Sequence, residues 1–149
     1  MPDPIHDIHK FADDMSAVSD FLSYLPRSAS SSLYTPPYFD WKIRGNPFGP
    51  SASFIRSRDG RRVAHCSVTA KPGNASWLPG ARLAELGDTH THPDAQRQGH
   101  FGVLGRHTIE DFDRQVGGHA LIYGLPNANA LPGWLRHCGC EVFEPMQEW

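Results

Sequence analysis

The chain has 149 residues and a formal net charge of −2, with 39% hydrophobic and 20% charged residues. That length builds one domain with a real core, so residues 1–149 are read as a single domain. A general nucleic-acid binder is usually basic, and no apolar run approaches the ~18 residues that span a bilayer. Neither nucleic acid nor membrane is therefore expected as a partner. The first residues, MPDPIHDIHKF, lack the basic start and apolar core of a signal peptide. Cys138 and Cys140 are two apart and Cys66 is remote, which does not make a disulfide framework. A reducing cytoplasm is the expected compartment.

Residues 5–25 read as helix, because Ile5, Ile8, Phe11, Met15, Val18, Phe21, Leu22 and Leu25 recur at spacings of three and four. SASSS at 28–32 is weakly specified. Residues 34–50, rich in Pro, Gly and aromatics, predict an ordered loop with a short helical turn. SFIRSR (53–58), Asp59-Gly60 and RRVAHCSVTA (61–70) predict a hairpin. After a loop over 71–80, residues 81–91 read as a strand with Gly87 as a candidate bulge. Residues 101–116 read as a helix stopped by Gly117-Gly118, and 119–125 as a buried strand. A short helix runs from Asn127 to about Cys138, and Cys140 begins a last strand. A strand–helix–strand unit implies a parallel pair, and the hairpin adds antiparallel strands. The class is α/β, or α+β by another convention, with a mixed central sheet flanked by helices.

The stretch HPDAQRQGHFG (92–102) leaves a strand and feeds a helix through Gly99 and Gly102. The first amides of a helix have no internal partner and point outward. The helix dipole adds partial positive charge, and together they hold phosphate. Arg97 can add a full charge. The Lys-Ser/Thr of a P-loop and the G-x-G-x-x-G of a dinucleotide fold are absent.

Gln96-Arg97-Gln98-Gly99-His100-Phe101 resembles the Q/R-x-x-G-x-G/A signature of the GNAT acetyltransferases. Phe101 departs from it at the last, small position, where Gly102 is expected to take up the close approach. YGLPNANALPGWLRHCGCEVF (123–143) and PYFDWKIRGNPFGPSASFI (37–55) resemble stretches of a GNAT subgroup found with polysaccharide and amino-sugar gene sets. The resemblance implies the acyl-CoA N-acyltransferase fold and acetyl transfer from acetyl-CoA to a small amine acceptor. It implies that amides of Arg97, Gln98, Gly99, His100, Phe101 and Gly102 hold the pyrophosphate. It also implies that the backbone of Thr89, His90 and Thr91 runs beside pantetheine, and that Asn127 or Asn129 touches the cofactor arm.

Glu85 stands eleven residues before Gln96, the spacing at which GNAT members with a glutamate base on this strand carry it. An unbroken strand puts Glu85, Gly87, Thr89 and Thr91 on one face. If the strand bulges, Asp88 is the rival base. Where many GNAT enzymes place an acidic Tyr, this chain has Leu135, and Tyr123 reads as core. Cys138 and His137 read as structural.

Three other readings compete. His90 and His92 share a strand face with His100 nearby, but no metal-ligand spacing accompanies them, so no metal is expected. The aromatics from Tyr34 to Phe48 either line an acceptor pocket or cap the sheet. The chain has room for one strand after Gly139 where GNAT domains have two, so a C-terminally truncated member is one expectation. A catalytically inactive coenzyme A-binding or dimerisation module is the alternative to an enzyme, and a homodimer is one assembly the sequence leaves open.

Overall fold

In a computed structural model the protein is described over residues 6–11, 35–73 and 78–143. The elements are β1 (His6–Lys10), α1 (Pro36–Ile43), β2 (Ser51–Arg58), β3 (Arg61–Ala70) and β4 (Arg82–Thr91). A 3-10 turn (Pro93–Ala95), α2 (His100–Gln115), β5 (Ala120–Gly124) and α3 (Leu131–His137) follow. The strands form one sheet in chain order. β1 to β4 pair antiparallel, and β4 pairs parallel with β5 across the α2 crossover.

Local chemistry accounts for these elements. Asp59 and Gly60 both take positive φ, 49° and 77°, as a two-residue hairpin turn that matches strand twist requires. Thr35 caps α1 by accepting from the Tyr38 amide at 3.4 Å, with Pro36 in the first turn. Asn46 then fixes the loop into β2. Its Nδ2 donates to the Ala70 carbonyl at 3.0 Å and its Oδ1 accepts from the Phe48 amide at 3.0 Å.

β3 is buried on both faces. Ala64, Cys66, Val68 and Ala70 join Phe54, Leu86, Leu104, Phe112 and Trp134 in the core under α2. On the other face His65 lies under Phe11 and Phe39, with ring centroids 5.0 and 6.3 Å away.

Three expectations change. His6–Lys10 is a strand paired with β2, not the start of a helix, and residues 12–25 lie outside the described residues. The three-residue spacing of Ile8 and Phe11 misled, because these two go to opposite faces. Ile8 packs on the core under α2 and Phe11 packs on Phe39 and His65. Residues 34–50 hold a full eight-residue helix rather than a turn. Cys140–Phe143 is not a strand: no sheet partner meets it among the described residues, and Val142 and Phe143 are exposed.

Candidate active site

β4 carries the central irregularity. Its partners on β3 jump from Ser67↔Gly87 to His65↔His90, so Asp88 and Thr89 both oppose Cys66. This is a bulge, with Asp88 at φ 48°. Parallel pairing with β5 ends at Leu86↔Gly124. Beyond that point the β5-facing edge of Gly87 to Thr91 has no strand partner among the described residues. The two parallel strands thus part at their carboxyl ends, a common place for ligands in α/β sheets, whereas a cavity of about 410 Å³ lies at the other end of β4 beside Lys71 and Arg82.

The loop from β4 to α2 follows directly on the carboxyl end of β4. Arg97 (φ 62°) and Gly99 (φ 78°) both adopt left-handed backbone. Nothing lies within 4 Å of where a Gly99 side chain would start. The first helical bond runs from the Val103 amide to the Gly99 carbonyl, 3.3 Å. Among the described residues the amides of Gln98, Gly99, Phe101 and Gly102 make no backbone hydrogen bond. Open amides at the start of a sixteen-residue helix are the physical requirement for an anion site.

The bulge also re-sorts the side chains. Glu85 and Gly87 lie opposite Thr69 and Ser67, on the face under α1. Asp88 joins that face, because its Oδ2 accepts from Ser67 Oγ at 3.0 Å and pairs with Lys42 Nζ at 2.6 Å. Thr89 turns the other way and contacts Cys66 Sγ at 3.5 Å. Thr91 pairs with Ala64, so it also faces α2. The shared face expected for Glu85, Thr89 and Thr91 is broken by the extra residue.

Asp88 is tightly held. Burial alone would raise its carboxyl pKa, but the Lys42 ammonium beside it wins and holds it below the usual carboxylate range. Its carbonyl accepts from His65 Nδ1 at 2.7 Å, which fixes that tautomer, and His65 Nε2 accepts from the Ser53 hydroxyl at 2.9 Å. Burial pushes the His65 pKa down to about 4. Lys42, His65 and Ser67 thus pin a bulge residue whose left-handed backbone is itself unfavourable. None of the three stood out in the sequence as part of a site. Lys42 reaches β4 from α1, 46 residues away in the chain, so no local signal could have shown it. Glu85 is more open, half-buried and ion-paired with Lys71 at 2.5 Å.

Other candidate residues are scattered. His92 lies beyond β4, where its ring accepts from the Asp94 amide at 3.2 Å and contacts Arg61. His100 is buried in the first turn of α2, and His90 pairs with His65. The three histidines do not share a face. Asn127 Oδ1 accepts from the amides of Asn129 and Ala130 at 3.1 and 2.9 Å, so its oxygen caps α3. Asn129 is exposed on the same turn. Tyr123 is 40% exposed rather than core, because β5 is an edge strand. It sits in register with Glu85.

Gly102 has a packing use of its own. A side chain there would start 2.7 Å from His137 Cβ, so its smallness lets α3 dock. Phe101 lies over Gly133 and against Trp134, with ring centroids 4.4 Å apart. The large residue is absorbed by a glycine on the facing helix.

No family model matches the chain, and no curated protein matches its sequence. Its structure is another matter. Glucosamine-6-phosphate N-acetyltransferase from Arabidopsis thaliana superposes with a TM-score of 0.68 at 10% identity, over 97% of this chain and 97% of that one. The fold is that of the GNAT acetyltransferases. A predicted acetyltransferase from Clostridium acetobutylicum, solved with acetyl-CoA, gives 0.68 at 15% identity over 97% and 96%. An aminoglycoside N-acetyltransferase in complex with CoA gives 0.70 at 12% identity over 99% and 95%. At these identities the likeness carries the GNAT fold and leaves acceptor and site chemistry to the residues themselves.

Proposed function

We propose that this chain is an N-acetyltransferase that moves the acetyl group of acetyl-CoA to a primary amine by direct attack in a ternary complex. The observation that carries this reading is the set of open amides at Gln98, Gly99, Phe101 and Gly102, on the loop that follows the point where β4 and β5 part. In this reading the amides of Gln98 to Gly102 take the diphosphate, and the unpaired edge of Thr89, His90 and Thr91 takes pantetheine as an added strand. The acceptor amine must be neutral to attack, so a base must take its proton. Glu85 fills that role. Asp88, whose carboxylate Lys42 and Ser67 already hold, keeps the bulge in shape instead. A main-chain N–H of the bulged stretch is the proposed donor to the developing oxyanion. The coenzyme A thiolate leaves without a side-chain acid.

An amino sugar is the proposed acceptor class. Two of the similar structures are named for amino-sugar substrates, glucosamine 6-phosphate and aminoglycosides, and the stretches around Trp41-Lys42 and Pro126-Asn127 resemble an amino-sugar subgroup. The exposed Trp41 and Phe48 offer aromatic surface for such rings.

A thiol-release assay over a panel of amines tests this. Acceptor-dependent release is expected. Glu85→Gln is expected to lower kcat by about 10²–10⁴ while acetyl-CoA affinity stays within about twofold. Coenzyme binding without turnover of any amine would leave a binding module. Full turnover by Glu85→Gln would remove Glu85 from the chemistry.

A further inference from the structure

The tip of the β2–β3 hairpin is built against the rules of a hairpin. Arg58 and Arg61 flank the Asp59-Gly60 turn as directly opposed partners. Like charges in that position destabilise a strand pair. Arg62 follows in the chain, and Arg97 is the neighbour of Gln98, which Arg58 contacts, in a chain of net charge −2. A local conflict of this kind marks a functional surface more often than a folding device.

The tip is tied to the loop from β4 to α2. Arg58 Nη1 donates to Gln98 Oε1 at 2.5 Å. Arg61 Nη2 reaches His92 Nε2 at 2.9 Å and Asp94 Oδ2 at 3.3 Å. Asp59 Oδ2 lies 3.7 Å from Arg58 Nε. The guanidiniums therefore stand one side chain away from the open amides of Gln98 and Gly99, and remain partly exposed. A guanidinium fork matches phosphate oxygens better than a point charge does.

We infer that Arg58 and Arg61, with Arg97, form a second anion site that takes a phosphomonoester one ribose away from the diphosphate loop, the 3′-phosphate of coenzyme A. This rests on the acetyl-CoA reading above. The hairpin tip, rather than the loop itself, then selects coenzyme A over its 3′-dephospho form. Because the arginines are partly exposed, the selection weakens as salt rises.

Calorimetric titration of the full chain with coenzyme A and with 3′-dephospho-coenzyme A decides it. The wild type is expected to prefer coenzyme A by roughly tenfold in low salt, the worth of one charge-assisted contact at a partly screened site. Arg58→Gln/Arg61→Gln is expected to lose that preference while keeping its affinity for the dephospho form. Arg114→Gln, a remote control on α2, is expected to keep it. Equal binding of both ligands by the wild type overturns the second site and leaves the acetyl-CoA reading standing. Binding of neither overturns both. A preference that survives the double variant removes these arginines from the site.

Discussion

His65 donates to the Asp88 carbonyl, and its pKa is pushed down to about 4 by burial from an ordinary 6.5. The unfolded chain therefore binds a proton that the native chain refuses between those values. Stability falls as pH drops from about 6.5 towards 4. Asp88, held below its ordinary 3.8, adds a further loss at lower pH as its folded form takes a proton. Lys42 runs the other way. Burial acts to lower its pKa, the Asp88 carboxylate overrides that, and the net shift is upward from 10.5. Its contribution is complete below 10.5 and is lost as pH rises through the folded value. Burial raises the Cys66 thiol to about 12, so the unfolded chain gives up that proton first and stability falls above its ordinary 9.0. Urea midpoints are thus expected to plateau between neutral pH and about 9, and the fall near pH 5 is expected to shrink in His65→Gln, with the remainder set by His90, which burial also lowers. A midpoint flat down to pH 4 in the wild type would contradict the buried neutral histidine. Lys42→Met is expected to cost about 3 kcal/mol by stranding Asp88, and Lys42→Met/Asp88→Asn less than the sum of its parts. Additive losses in denaturant melts would mean the pair is not coupled.

Two glycines three residues apart in the same segment have different uses. Gly99 is left-handed with open space around it, whereas Gly102 is in the helix with His137 Cβ in its way. Gly102→Ala is expected to destabilise by about 1–3 kcal/mol through overpacking, with coenzyme binding altered only in proportion to unfolded protein. Gly99→Ala is expected to cost about 1–2 kcal/mol of backbone strain and, beyond that, to weaken coenzyme binding by crowding the loop. Thermal melts alongside calorimetry separate the two, and the reverse pattern would exchange their roles. The sequence marked both glycines but not the difference, because His137 is more than thirty residues away in the chain. The hairpin, α2, β5 and α3 were legible, since turn chemistry and periodicity are local signals. β1 was not, because spacing of three suits a helix as well as a strand whose end residues serve opposite faces. The bulge was legible only as a choice. Gly87 suggested one, but which residue took the strain depended on Lys42, His65 and Ser67 arriving from other elements.

At the scale of the molecule, antiparallel strands lead into one parallel pair, and the sheet opens where that pair separates. The order of elements carried the GNAT resemblance, which the superpositions bear out for the fold. The acceptor was not legible, because the aromatic surface on α1 and its loop is set by tertiary placement. The central claim is that the amides from Gln98 to Gly102 hold a diphosphate. The most direct measurement is a titration of ¹⁵N-labelled protein with acetyl-CoA, followed by amide chemical shifts. The largest shifts are expected at Gln98, Gly99, His100, Phe101 and Gly102, with a second group along Thr89 to Thr91. Saturable binding that leaves the Gln98–Gly102 amides unmoved, or no binding at all, would contradict the account.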